Sequence, residues 1–268
     1  MKLSCSSPMV PGATLTEQAD LLAQWGYDGI AVFQPLETWS DTVHRELVSL
    51  AERTGVRPVE FLLMSDFYGK AMADDPDLRA RCRAMYREAA IVCAEIGAVT
   101  EIEFQYGAQD PLPLFDPFPQ LDAQQKSDFI DFYREMLEVV AGSQGRVLLE
   151  PINRYESGYL NRVIDNMEII DAVAHPNAGL LPDVFHMSIE EPDLPASLRL
   201  AGSHVAHVHL GDNNRLLPGN GHLPWRDIFE ALRDIGFDGY VNLECSTTGD
   251  PAVTLPAMAA TLRDWIGE

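Results

Sequence analysis

Positive charge is scarce in this chain. Lys and Arg total 19 against 41 Asp and Glu, a formal net charge of −22 over 268 residues. A surface this acidic repels phosphate backbones and anionic lipid, so neither a nucleic-acid nor a membrane partner is expected. Long apolar runs are missing too. No stretch approaches the ~20 residues needed to span a bilayer. MKLSCSSPMVPG shows no basic segment leading into an apolar one, so no signal peptide is read and a cytoplasmic protein is expected. Cysteine is limited to Cys5, Cys82, Cys93 and Cys245, with no CxxC spacing. These read as reduced structural thiols, with Cys82 and Cys93 on one buried helix face. No glycine-rich phosphate loop follows the first strand, which argues against a nucleotide-binding open sheet.

What is present is alternation. Strand patterns at 2–6, 28–33, 56–63, 99–104, 146–150, 179–183, 204–209 and 239–244 are separated by helical patterns at 15–26, 40–55, 76–96, 122–141, 163–174, 194–200 and 224–235, and a last helix at 253–266 closes the series. Residues 107–121 hold four prolines and cannot form regular helix. Strands alternating with helices predict a parallel sheet with helices outside. Eight such units in this length predict a single (β/α)8 TIM barrel of the α/β class, occupying 1–268 as one domain.

Four residues stand at the ends of successive apolar runs in the second half: Glu150, Asp183, His209 and Glu244. Their gaps of 33, 26 and 35 residues each leave room for a loop, a helix and the next strand. In a barrel, side chains at the C-terminal strand ends converge on the mouth. One Glu or Asp at a strand end is more often a solvated loop residue or a helix cap. Four at successive strand ends reverse those odds. Three carboxylates crowded together would repel strongly without a cation, and three oxygen donors with one nitrogen suit one divalent metal: Mn²⁺, Mg²⁺ or Co²⁺, with Zn²⁺ as a further candidate. His207, two residues before His209, faces the same way and reads as a deeper barrel residue. His204 faces the other side and reads as packing.

The segments EPINRYES (150–157), PDVFHM (182–187), HVHLGDNNR (207–215), PGNGHLPW (218–225) and GYVNLE (239–244) resemble the xylose-isomerase-like barrel superfamily. Within it they are most similar to the D-tagatose, D-psicose and L-ribulose 3-epimerase group. The resemblance covers about residues 146–245; over 1–145 only the βα rhythm agrees. It implies that Glu150, Asp183, His209 and Glu244 bind one divalent metal, commonly Mn²⁺. It implies that Glu156, His186 and Arg215 contact oxygens of a small keto-sugar substrate, and that the protein is a homo-oligomer. The chain departs from the group in its small first loop, SSPMVPGATL, and in Val184, where the group has Thr.

The implied chemistry is coherent. A carbon beside a ketone is weakly acidic, so a positioned carboxylate can take its proton while a cation stabilises the enediolate. Two carboxylates, Glu150 and Glu244, allow removal on one face and return on the other. The expectation is therefore a metal-dependent isomerase that epimerises C3 of a non-phosphorylated ketose or keto-sugar. Asp212, Asn213 and Asn214 read as partners for substrate hydroxyls, and Arg154 as a second cation near the mouth. The alternatives on the same site are an aldose–ketose isomerase and a β-eliminase of 3-oxo-glycosides, like C-glycoside deglycosidase subunits. An endonuclease-IV-like repair enzyme is disfavoured by the net charge, and a non-catalytic sugar binder by the complete ligand set.

Overall fold

The computed structural model describes residues 1–115 and 117–267. The described residues form eight strands: β1 (Lys2–Ser6), β2 (Gly29–Pro35), β3 (Arg57–Met64), β4 (Val99–Ile102), β5 (Arg146–Leu149), β6 (Ala178–Leu180), β7 (Val208–Leu210) and β8 (Tyr240–Leu243). The helices are α1 (Leu15–Gln24), α2 (Asp41–Thr54), α3 (Pro76–Ile96), α4 (Ala123–Val140), α5 (Val163–Val173), α6 (Val184–Glu190), α7 (Leu194–Ala201), α8 (Trp225–Asp234) and α9 (Pro251–Ile266). Among the described residues no helix is long and apolar enough to cross a membrane.

All strand pairs are parallel, in the order β6-β5-β4-β3-β2-β1-β8-β7. The two ends meet. Ala206 N–H donates to the Leu180 carbonyl at 2.9 Å and His209 N–H to that of Pro182 at 3.1 Å. The seam between β6 and β7 rests on isolated bridges, Leu180 with Val205 and Asp183 with His209. The curled sheet thus closes as a TIM barrel.

Strand alternation sorts side chains into two faces. Outward, Leu3, Ile30, Phe61, Val147, Val208 and Val241 are buried beneath the helices. Inward, the barrel is unusually polar: Ser4, Ser6, Glu60, Glu101, Glu103, His207, His209 and Asn242 are all at most 5% exposed. Register fixes who faces whom. Ser4 and His209 both pair with Asn242, and Ala31 pairs with Glu60. Between Ile30 and Ala31 the register slips, because β3 carries one extra residue there, Val59. Such a bulge re-aims the side chains that follow it, and here it sends Glu60 into the barrel.

Helix starts follow local sequence. Thr14 and Ser40 cap α1 and α2, and Asp122 with Gln125 forms a capping box on α4. Helix α6 was not expected. It has seven residues and starts on Asp183, whose Oδ1 accepts from Phe185 N–H at 2.7 Å. Less than two full turns give too short a period to show in sequence.

Candidate functional site

Glu150 follows β5, Asp183 follows β6, His209 lies in β7 and Glu244 follows β8. The structure brings these four together, each offering one ligand atom, all within 4.8 Å of one another. Glu150, Asp183 and His209 are buried, whereas the Glu244 side chain keeps 23% exposure and marks the open side.

His209 sits at the centre. Its Nδ1 lies 2.5 Å from Glu244 Oε2 and 3.6 Å from Glu150 Oε1, and its Nε2 lies 2.9 Å from Glu60 Oε2. The Nδ1 contact is short but not aligned as a hydrogen bond: Nδ1 and Glu150 Oε1 are both buried without a hydrogen-bond partner. Buried polar atoms are seldom left in that condition. Two orphaned donor atoms aimed at a cluster of carboxylates fit a divalent cation.

Arg215 reaches in from the loop after β7. Its Nη1 donates to Asp183 Oδ2 at 2.6 Å and its Nη2 to Glu244 Oε1 at 2.7 Å. The guanidinium lies 4.6 Å from the Phe185 ring centroid. Its backbone is left-handed, with φ of 59°, an uncommon conformation for a non-glycine residue.

His186 comes from α6. Its Nε2 is 3.8 Å from Asp183 Oδ2 and 4.0 Å from Glu150 Oε1. On the other side Asn153 faces Nδ1 with its backbone N–H at 3.4 Å and its side-chain amide at 2.6 Å. A backbone N–H can only donate, so Nδ1 accepts and a neutral His186 carries its proton on Nε2, toward the carboxylates. The same Asn153 amide donates to Glu156 Oε1 at 2.8 Å. Glu156, Asn153 and His186 are thus one connected unit.

The two glutamates differ electrically. Burial, reinforced by Glu244 and Asp183, pushes the Glu150 carboxyl well above the ordinary range, against the pull of His209. Burial acts upward on Glu244 too, but His209 and Arg215 outweigh it and hold that carboxyl below its usual value. Burial would lower His209, yet Glu60, Glu244 and Glu150 together hold it well up. For His186, burial wins and its pKa is lowered.

Other expectations are revised. Asp212 does not face the mouth. It is fully buried and holds its own loop, accepting from Gly219 N–H and Trp225 Nε1–H, both at 2.8 Å. Asn213 accepts from His222 N–H, and Asn214 bonds to Asn220 and Leu216. Arg154 turns to Glu190, with Nη2 to Oε2 at 2.7 Å and Nε to Oε1 at 3.0 Å. His207, by contrast, keeps its expected place deep in the barrel, 3.6 Å from Glu60. His204 pairs with Asp171 near the surface at 2.9 Å rather than packing. Val184 is fully buried. Residues after β1, including Ser7 and Thr14, and at the end of β2, including Phe33 and Gln34, line a cavity of about 530 Å³.

Sequence reasoning missed Glu60, Glu101, Glu103 and Asn153. Tyr68 Oη donates to Glu103 at 2.7 Å and lies 3.2 Å from Glu101 Oε1, and Tyr86 Oη donates to Glu103 at 2.7 Å. A signal existed in VTEIEF: two carboxylates two residues apart inside an apolar run mark a polar inward face.

With this geometry in view, the chain belongs to the xylose isomerase-like TIM barrel family, which it matches over residues 19–267. Among its relatives is a D-psicose 3-epimerase of Ruminiclostridium cellulolyticum, 28% identical over 234 residues, which cover 83% of this chain and 75% of that enzyme. Another is the 3-dehydro-D-guloside 4-epimerase of Escherichia coli, 36% identical over 130 residues, about half of each chain. The solved structure of a 3-keto-D-glucoside 4-epimerase from E. coli superposes with a TM-score of 0.84 at 22% identity, covering 98% of this chain and 99% of that one. Epimerases recur among these relatives, and the chain is an enzyme of the isomerase class.

Proposed function

We propose that the protein is a divalent-metal-dependent epimerase of a non-phosphorylated keto sugar, inverting the carbon next to the ketone. The observation that carries this reading is the convergence of Glu150, Asp183, His209 and Glu244, with Glu150 Oε1 and His209 Nδ1 unpartnered between them. These four residues would hold the cation, Mn²⁺ first among the candidates. Bound there, it would polarise the ketone and offset the negative charge of the enolised substrate.

The remaining work falls to the chain's own residues. Glu150 and Glu244 come from different strands and are the pair that takes and returns the proton. His186 offers an Nε2–H for hydrogen bonding to a substrate oxygen, oriented by Asn153 and Glu156. Arg215 supplies two further donors and positive charge. The uncharged substrate follows from the surroundings. Arg215 is already shared by two carboxylates and Arg154 is bound to Glu190, which leaves an acidic pocket that opposes phosphate.

The position of inversion has two readings with one chemistry. The carbon next to a 2-ketone is C3, as in the psicose epimerase relative. The carbon next to a 3-ketone is C4, as in the E. coli guloside epimerase. The second is favoured by the small first loop, SSPMVPGATL, which leaves room for a glycoside.

The test is a panel of ketoses and 3-keto-glycosides, with and without phosphate, incubated in D₂O with Mn²⁺ and followed by NMR. Deuterium is expected at the inverted carbon of an unphosphorylated member. Absence of exchange across the panel, or a large preference in kcat/KM for a phosphorylated sugar, would refute the reading.

A further inference from the structure

We infer that Glu60, on the far side of the barrel, orients His209 for the cation by holding its Nε2–H, so that Nδ1 faces Glu150, Asp183 and Glu244. This rests on the reading of those residues as a metal centre. Glu60 lies on β3, four strands from β7 around the barrel, and the two side chains meet at 2.9 Å between Oε2 and Nε2. Both are fully buried.

The chemistry of the pair sets the orientation. A carboxylate only accepts, so the ring nitrogen beside it carries the proton whatever the charge of the imidazole. Nδ1 is then the nitrogen with a lone pair to offer, and it is the one turned toward the carboxylate cluster. A carboxylate behind a metal-ligating histidine fixes tautomer and ring angle and raises ligand basicity.

Two features show that Glu60 is built into this place. The extra residue Val59 slips the β3 register and turns Glu60 inward, beside Ala31. Glu101, beside Tyr68 Oη, is near enough for the two carboxyls to feel each other's charge. Glu60, His207 and His209 also lie close enough to hold a cation of their own. His209 Nε2 cannot both donate to Glu60 and ligate there, so the inference requires a single metal per chain.

Mn²⁺ alone is the probe, with free ion followed by EPR during equilibrium titration of the full chain, Glu60→Gln and Glu60→Leu. Gln keeps a carbonyl that accepts from Nε2–H, whereas Leu accepts nothing. Glu60→Leu is expected to weaken Mn²⁺ binding ~10- to 100-fold, and Glu60→Gln to recover part of that loss. At saturating Mn²⁺ the substrate KM of each folded variant should stay close to the parent's. A folded Glu60→Leu protein that binds Mn²⁺ like the parent overturns the inference while leaving the metal centre intact. Two Mn²⁺ per parent chain overturn it as well. A parent that takes up no Mn²⁺ overturns both this inference and the function it rests on. Ring ¹⁵N NMR of the parent needs no substitution: a protonated His209 Nε2 is expected, and a bare Nε2 overturns the inference even if Glu60→Leu fails to fold.

Discussion

Glu150 and Glu244 share one cluster but not one environment. Burial and neighbouring carboxylates push Glu150 up, and His209 and Arg215 hold Glu244 down. Carboxyls held apart in this way divide naturally into donor and acceptor. Glu150→Gln and Glu244→Gln are each expected to lose at least ~10²-fold in turnover, the scale of a positioned general base. Bound metal must be quantified in the same samples, because both residues are candidate ligands. A fully metallated variant with parental turnover removes that residue from the proton transfer.

A second residue-scale expectation concerns a thiol outside the candidate ligand set. Burial raises the Cys82 thiol from 9.0 to about 12, against a backbone hydrogen bond from Lys70. The unfolded thiol ionises above pH 9 while the folded one does not. Stability is therefore whole below pH 9 and falls as pH climbs toward 12, by about 1.4 kcal/mol per unit at most. Urea melts of the parent and Cys82→Ala between pH 8 and 11 should show the parent losing ground by this slope. A constant difference would mean that the thiol ionises normally in the fold.

At this scale, legibility depended on parity. Glu150, Asp183, His209 and Glu244 each end an apolar run, so strand alternation and spacing sufficed to bring them together. Glu60 also sits in an apolar run, but its facing depends on the slip at Val59, which no periodicity displays. Asp212 looked like a substrate ligand because its neighbours are polar, whereas it is spent on backbone amides and on Trp225.

Among the elements, the periodic helices were readable down to the eight residues of α7, and the seven-residue α6 was not. Asp122→Ala removes the capping box of α4 and is expected to cost roughly 1 kcal/mol, with turnover unchanged. A matched fall in activity would show that α4 acts on the site. The loop after β7 behaves differently. Asp212→Ala leaves the buried Trp225 Nε1–H without its acceptor, at a cost of about 1–3 kcal/mol. Because Arg215 N–H also bonds to the Asp212 carbonyl at 2.8 Å, loosening this loop should lower kcat together with thermal stability. Full activity at a reduced melting temperature would separate the loop from Arg215. Helix α6 escaped notice, yet it carries His186 to the mouth and begins on Asp183.

For the whole molecule, the seam matters most. Between β6 and β7 the ladder is reduced to isolated bridges, and one of them joins Asp183 to His209. Two of the four candidate ligands therefore stand on opposite sides of the barrel's join. A cation held between them would link the first and last strands of the sheet order as well as serve the chemistry. At a hundred times its dissociation constant, Mn²⁺ should add about 2.7 kcal/mol of stability, read as a rise in melting temperature that a chelator reverses.

The same join sets an order of opening that hydrogen exchange can follow. Backbone amides exchange through local openings, and the least supported seams open first. In the protein alone, the amides of Ala206 and His209, which close the barrel, should exchange ahead of those between β1 and β2. Mn²⁺ should slow the first pair far more than the second. Equal slowing everywhere would mean that the ion steadies the fold as a whole without clasping its join.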